Sequence, residues 1–193
     1  MYGVILNILD MREKFIRFIL KFHHRKNSTL YKFVSLAVGA FVFLVIIPSL
    51  LIWIGSFVDQ YFSINGSKTI KVSIAVVSIA IGLFFLLWST YTQLKIGKGT
   101  PAPVAPTQKL VVAGPYKLMR NPIEFGALFY YFGLGTITVS YTVGLVCLFL
   151  ALVIGSCYHK FVEEKELERR FGEDYIRYKE NVPFLIPKIK FKK

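Results

Sequence analysis

The sequence predicts an all-α membrane protein with about four transmembrane helices, an N-terminal interfacial helix and a C-terminal cytoplasmic helical segment. Its 193 residues are 54% apolar and carry a net charge of +13, which is typical neither of a soluble domain nor of a disordered chain. Its apolar runs exceed the roughly 20 residues that cross a bilayer core as a helix. Its basic residues lie mainly outside these runs, as the positive-inside rule requires. We expect one integral membrane domain over residues 1–193.

Residues 1–26 are predicted to form a helix that lies in the membrane interface. Apolar side chains recur there at roughly helical spacing, among them Ile5, Ile16 and Ile19, and charged side chains lie between them. This is the pattern of an interfacial amphipathic helix. The charged residues 10–14 interrupt any apolar region, so a cleaved signal peptide fits less well.

The transmembrane helices are predicted from three apolar runs. Residues 33–57 form 25 consecutive residues without a charge, and residues 72–94 form 23. Residues 123–157 form a third run, interrupted by Glu124 near its start and by a polar group around Ser140. We interpret the third run as two spans, 123–138 and 143–161, joined by a tight hairpin.

The distribution of basic residues predicts the orientation. Of the 24 lysines and arginines, 22 lie in residues 1–32, 95–120 and 160–193. Four spans with both termini in the cytoplasm place these segments on the same side. The charge is then explained by membrane lipids with anionic headgroups. No nucleic acid partner is expected, because no base-reading motif accompanies the charge, and no metal site is expected.

The segment 95–122 separates the second and third spans and carries the first candidate binding residues. Three of the six residues 101–106 are proline, which makes the segment stiff and non-helical. Gly97 and Gly99 precede these prolines, and glycines let a backbone approach a ligand closely. Pro122 suits the first turn of the next helix. Arg120 lies just before this turn, where free helix N–H groups and a permanent charge favour a carboxylate or phosphate.

Residues 114–126, GPYKLMRNPIEFG, resemble the signature of the isoprenylcysteine carboxyl methyltransferase and phospholipid methyltransferase superfamily of membrane enzymes. The preceding residues 97–112 are similar to the lead-in of prokaryotic members. A second block, from Glu163 and Glu164 through Tyr175 and Tyr178 to Pro187, resembles the pattern that closes these proteins. The resemblance covers about half of the chain, residues 94 to 188.

This resemblance implies an S-adenosylmethionine site formed by the segments 95–122 and 162–188. Arg120 would take the carboxylate of the cofactor, and Glu163 or Glu164 its ammonium or ribose hydroxyls. A lid over the cofactor, or ordinary packing at the interface, is expected of Tyr175, Tyr178, Phe184 and Ile186. The remaining residues counted with the cofactor site are Gly97, Gly99, Tyr116 and Pro122. Other charges beyond residue 163, including the Glu166 and Arg170 pair, are predicted to form a solvated face.

The chain departs from the family pattern at two positions. Asn121 stands where many members have histidine, and an amide cannot act as a base near neutral pH. Glu124 stands where many have tyrosine, and an acid one turn into a membrane span needs a partner. Arg120, four residues earlier, is the expected partner. Our hypothesis is that Glu124 faces the cofactor or the methyl acceptor, which makes Arg120, Asn121 and Glu124 the candidate catalytic residues.

The predicted activity is methyl transfer from S-adenosylmethionine to a lipophilic or amphiphilic acceptor at the cytoplasmic membrane face. The accepting group, whether carboxylate, amine, thiol or hydroxyl, stays open, as does the oligomeric state. Two alternatives remain. One is an NAD(P)H-dependent membrane reductase, because sterol reductases resemble this superfamily toward their C-terminal ends. The other is a non-catalytic membrane scaffold.

Overall fold

A computed structural model describes residues 2–23 and 28–187. Within those residues the protein is helical and has no β-strand. The α-helices are α1 (Tyr2–His23), α2 (Thr29–Phe41), α3 (Ile47–Asp59), α4 (Lys68–Thr92), α5 (Pro122–Thr138), α6 (Tyr141–Tyr158), α7 (Glu164–Phe171) and α8 (Glu173–Asn181). Short π-helical turns join α2 to α3 and α6 to α7, and a third follows α4.

Three continuous helices are long and apolar enough to cross a membrane: Thr29–Asp59, Lys68–Gly97 and Tyr141–Phe171. They contain the predicted spans 33–57, 72–94 and 143–161. The predicted span 123–138 corresponds to α5, which has 17 residues and is therefore about 26 Å long. It is shorter than the other three, so the count of four spans stays a prediction.

The last long helix continues past the apolar residues into α7, as its charged sequence predicts. It ends before Gly172, whose φ of 54° lies in the region that favours glycine. The helix α8 then turns back, and residues 182–187 follow without regular structure.

The N-terminal helix α1 packs beside α7. Glu13 forms an ion pair with Arg169 at 2.8 Å, and Ile16 and Ile19 are buried. Residues 24–26 of the predicted segment 1–26 lie outside the described residues. The position of α1 in the membrane interface stays a prediction.

The helices α4, α5 and α6 are in close contact because glycines face each other between them. A Cβ atom added at Gly82 of α4 would lie 2.6 Å from the backbone nitrogen of Tyr130 in α5. A Cβ atom added at Gly135 of α5 would lie 3.0 Å from the Cα atom of Gly144 in α6. Small residues allow such close approach of membrane helices, so the short helix α5 lies between α4 and α6.

Pro48 leaves carbonyl oxygens of the first long helix without backbone donors. Proline has no N–H, so the Leu44 carbonyl four residues earlier loses its α-helical partner. In an α-helix the N–H of Ile47 would bind the Phe43 carbonyl. The π-helical turn before Pro48 directs this N–H to the Val42 carbonyl instead, so the Phe43 carbonyl also loses its α-helical partner. In an apolar environment such groups need other donors.

Two adjacent tyrosines of α5 supply those donors. The hydroxyl of Tyr131 donates to the Phe43 carbonyl at 2.8 Å, and the hydroxyl of Tyr130 donates to the Leu44 carbonyl at 3.2 Å. These bonds join α5 to the α2–α3 helix at its irregular point. The proline and the two tyrosines therefore form one structural unit.

The hairpin between α5 and α6 is fixed to the loop that follows α3. Ser140 caps α6 by accepting from the N–H of Val143 at 3.2 Å, and its hydroxyl donates to Asp59 at 2.5 Å. The hydroxyl of Thr142 donates to the Phe62 carbonyl at 2.7 Å. This end of the helices is closed by polar contacts, and the candidate site lies at the opposite end.

We predict that Tyr131→Phe lowers the free energy of unfolding by about 1 kcal/mol, because the Phe43 carbonyl loses its donor in a partly buried, apolar position. Circular dichroism during titration of the purified protein with sodium dodecyl sulfate measures this. Tyr61→Phe makes the same chemical change at an exposed side chain and is the control. Equal stability of the two variants would contradict the prediction.

Candidate active site

A cleft lies where the ends of α4 and α6 meet the segment before α5, the helix α7 and the helix α8. Its cavity volume is about 100 Å³, which is below the roughly 300–1,000 Å³ that is usual for small-molecule sites. Five of the predicted site residues line it: Tyr116, Arg120, Asn121, Glu163 and Glu164. Tyr175 and Tyr178 of α8 line it as well.

The centre of this cleft is an ion pair between Arg120 and Glu164. Arg120 Nη1 lies 2.6 Å from Glu164 Oε1, and these side chains are 11% and 9% exposed. Lys179 of α8 reaches the other carboxylate oxygen, with its Nζ 2.5 Å from Glu164 Oε2. Two cations therefore share one carboxylate, and Lys179 also lies 3.1 Å from Glu168 Oε1.

Arg120 is fixed by contacts with the C-terminal segment. Its backbone N–H donates to the Pro183 carbonyl at 2.9 Å, and the N–H of Asn121 donates to the Phe184 carbonyl at 3.1 Å. The side-chain amide of Asn121 donates to the same carbonyl at 3.1 Å, and the Arg120 guanidinium lies over the Phe184 ring at 5.6 Å. Residues 183 and 184 thus hold the turn that begins α5.

Tyr116 joins three parts of the cleft. Its hydroxyl accepts from Gln93 Nε2 at 2.6 Å, and its carbonyl accepts from the hydroxyl of Tyr178 at 2.7 Å. Burial raises the pKa of Tyr116 well above its usual range, and burial likewise raises the pKa of Tyr178. Both phenols therefore stay neutral and serve as hydrogen-bonding groups rather than as charges.

Glu124 does not pair with Arg120, and that expectation is wrong. Arg120 lies outside the helix, because α5 begins at Pro122 after the N-cap Asn121, so the i, i+4 geometry of a helix does not apply. Glu124 is buried at 4% exposure and does not line the cleft. Its carboxylate instead accepts from the hydroxyl of Ser156 at 2.8 Å.

His159 is a cleft residue that the sequence analysis missed. It begins the π-helical turn after α6 and lines the cleft. Its Nδ1 contacts Glu163 Oε2, and its Nε2 lies 3.5 Å from Glu124 Oε2. The spacing of His159 and Glu163, four residues apart, is a local signal for this contact. The contact with Glu124 has no such signal, because it joins two helices.

Gly97, Gly99 and Pro122 do not line the cleft. The Gly97 carbonyl accepts from the N–H of Gln108 at 2.6 Å, and a Cβ atom at Gly99 would collide with the Pro106 backbone. The close approach that these glycines permit is therefore to the chain's own proline-rich segment. Pro122 is buried in the first turn of α5. Contact of these three residues with a cofactor stays a prediction.

Glu166 and Arg170 are not part of a solvated face, and that expectation is wrong for this pair. They form an ion pair at 2.8 Å, with side chains 4% and 3% exposed. Arg170 also donates to the Thr107 carbonyl at 3.0 Å and to its hydroxyl at 2.9 Å. The proline-rich segment covers α7, which buries the pair and makes Arg170 a link between these two walls of the cleft.

The cleft has buried polar atoms without hydrogen-bond partners. Arg120 Nε, Arg170 Nε and Gln93 Oε1 are buried and lack a hydrogen-bond partner. Unpaired buried donors and acceptors are costly, and these three atoms belong to side chains that line the cleft. Within residues 2–23 and 28–187, no group of three or more His, Cys, Asp or Glu residues has an arrangement that could hold a metal ion.

The sequence matches the family model of phospholipid methyltransferases over residues 70–174. This match covers more than half of the 193 residues. The chain belongs to the phospholipid methyltransferase family. The resemblance found in the motifs is thereby confirmed. No curated protein and no solved structure matches the chain.

The match to the phospholipid methyltransferase family includes most of the cleft. Residues 70–174 contain Tyr116, Arg120, Glu163 and Glu164. Lys179 and the two residues 183 and 184, which contact the turn before α5, follow the matched range. Membership of this family and the three long apolar helices together indicate a membrane methyltransferase.

We predict that Gly99→Ala displaces the proline-rich segment, because the added methyl group would collide with the Pro106 backbone. Trypsin should then cleave at the exposed Lys98 and Lys109 several times faster than in the unaltered protein, as measured by mass spectrometry of timed digests. Gly66→Ala is the control, because its Cβ would meet only a Tyr141 ring carbon at 3.4 Å. Equal cleavage rates would contradict the prediction.

Proposed function

We propose that this protein transfers the methyl group of S-adenosylmethionine to a lipophilic or amphiphilic acceptor at the cytoplasmic face of a membrane. The observation that carries the proposal is the contact of Arg120 with Glu164, two residues of separate sequence motifs that meet in one cleft. Membership of the phospholipid methyltransferase family supports the reaction class and a lipid-type acceptor. The chemical group that accepts the methyl stays open among carboxylate, amine, thiol and hydroxyl.

The cofactor's polar groups match the groups that the cleft leaves available. S-adenosylmethionine carries a carboxylate, an ammonium, ribose hydroxyls and an adenine ring, and it supplies an electrophilic methyl group on a sulfonium. Arg120 has an unpaired Nε and would hold the carboxylate. Glu163, with a side chain 35% exposed in the cleft, would bind the ammonium or ribose hydroxyls. Gln93 Oε1 is a further unpaired acceptor.

The protein's own contribution to the rate is positioning and exclusion of water. Tyr116 and Tyr178 stay neutral and connect the turn before α5 with α8, which encloses the cleft. Asn121 uses its amide to hold Phe184 and has no group that takes a proton near neutral pH. Methyl transfer depends on the alignment of donor and acceptor, so a rigid and dry site can supply much of the acceleration.

We further propose that the chain is a single domain with four spans and both termini in the cytoplasm. The helix α5 would be a short fourth span, packed between longer helices through its glycines. The cleft end then carries the basic residues around Arg120 and Lys179 on the cytoplasmic side, as 22 of 24 basic residues would lie there. An amphiphilic acceptor would reach the cleft from the bilayer.

Calorimetric binding of S-adenosylhomocysteine to the purified protein tests the proposal against its alternatives. Binding at micromolar concentration supports a methyltransferase, whereas tighter binding of NADPH would indicate a reductase. Binding of neither compound would indicate a scaffold. Transfer of a radiolabelled methyl group into a total lipid extract would then identify the acceptor.

We predict that Arg120→Ala weakens S-adenosylhomocysteine binding at least tenfold, because the ligand carboxylate loses a charged hydrogen-bond partner. Isothermal titration calorimetry measures this. Lys117→Ala removes the same charge from an exposed side chain three residues earlier and should change the affinity less than twofold. Similar losses in both variants would show that the positive charge of the region, and not the position of Arg120, attracts the ligand.

A further inference from the structure

One face at the end of α6 is arranged around the carboxylate of Glu124 in α5. Ser156 donates to Glu124 Oε1 at 2.8 Å, and His159 Nε2 lies 3.5 Å from Glu124 Oε2. Gly155 leaves the space for this carboxylate, because a Cβ atom there would lie 2.9 Å from Glu124 Oε1. These three residues follow the i, i+1, i+4 spacing of one helix face.

Glu124 does not line the cleft, and its side chain is buried. A carboxylate between apolar helices is costly unless polar partners compensate it. Ser156 donates to one of its oxygens, whereas the other has no hydrogen-bond partner and lies 3.5 Å from His159 Nε2. The route from Glu124 to the cleft therefore passes through the His159 ring.

His159 has a carboxylate at each ring nitrogen. Its Nδ1 contacts Glu163, and its Nε2 faces Glu124. Among the described residues, Glu164 is a further carboxylate that acts on this ring. Ionised carboxylates only accept hydrogen bonds, whereas an imidazolium donates from both nitrogens. The ring is therefore held from two sides, with Glu124 behind it and Glu163 in front of it in the cleft.

We propose that Glu124 is a positioning residue that acts through His159 to fix the carboxylate of Glu163 in the cleft. This rests on the proposed function, in which Glu163 binds the ammonium or ribose hydroxyls of the cofactor. It replaces the hypothesis that Glu124 itself faces the cofactor or acceptor. Glu124 holds the ring in one orientation, and the ring in turn holds Glu163 in one orientation, so the ordering of Glu163 is complete before the ligand binds.

The dependence on His159 gives a sharp test by a double-mutant cycle. The affinity for S-adenosylhomocysteine is measured by calorimetry for the unaltered protein, Glu124→Gln, His159→Gln and the double variant. Glu124→Gln should weaken binding about tenfold in the unaltered background, because the ring loses the charge that faces its Nε2 at 3.5 Å. In the His159→Gln background the same change should alter the affinity less than twofold, because the connecting ring is already gone.

Controls separate this role from general destabilisation. Glu173→Gln makes the same chemical change at an exposed residue of α8 and should leave the affinity within twofold. Ser156→Ala removes one hydrogen bond from Glu124 without changing charge and should weaken binding about threefold. It tests the same connection if Glu124→Gln does not fold. Thermal unfolding of each variant confirms that only folded protein is compared.

The outcomes that overturn the proposal are distinct from those that overturn the proposed function. Binding by the unaltered protein, combined with equal losses from Glu124→Gln in both backgrounds, would overturn the positioning role alone. Unchanged affinity in both Glu124→Gln and Ser156→Ala would do the same. Absence of binding by the unaltered protein would overturn the proposed function, and this proposal with it.

Discussion

The ion pair of Arg120 with Glu164 is the contact on which the cleft depends. It joins the turn before α5 to the start of α7, and Lys179 extends it to α8. Three segments far apart in the sequence are thereby brought to one point. A largely buried pair of this kind owes its value less to the attraction alone than to the high cost of leaving either charge unpaired. The elements that carry the two charges are therefore held together.

The rest of the fold provides a rigid base for that contact. The short helix α5 begins directly after Arg120 and Asn121. Its glycines let its backbone lie in close contact with the backbones of α4 and α6. Its tyrosines donate to the carbonyls that Pro48 leaves free. The position of α5 is thus defined along its length, and the turn before it carries Arg120 to a fixed place. Glu124, one turn into the same helix, couples this base to His159 and the cleft.

The local sequence pattern was sufficient to predict the long helices. It was insufficient to predict which residues the charged side chains contact. Apolar runs predict the long helices, and Gly172 marks the end of α7 as expected. The motif residues Arg120 and Glu164 are recognisable in the sequence. The i, i+4 rule nevertheless paired Arg120 with Glu124. The charged sequence beyond residue 163 suggested that the Glu166 and Arg170 pair faces solvent. Both errors arise because the contacts that decide them, with α7 and with the segment around Thr107, join residues distant in sequence. The contact of His159 with Glu124 was missed for the same reason, whereas its contact with Glu163 had a local i, i+4 signal.

A double-mutant cycle on the free energy of unfolding, with Arg120→Ala, Glu164→Ala and the double variant, tests the central contact most directly. If the two side chains form the buried pair described here, Glu164→Ala leaves Arg120 without its partner, Arg120→Ala leaves Glu164 with Lys179 alone, and the double change costs less than the sum. The expected coupling is about 2 kcal/mol. Losses that add to within about 0.5 kcal/mol would contradict the account, because the two residues would then not meet.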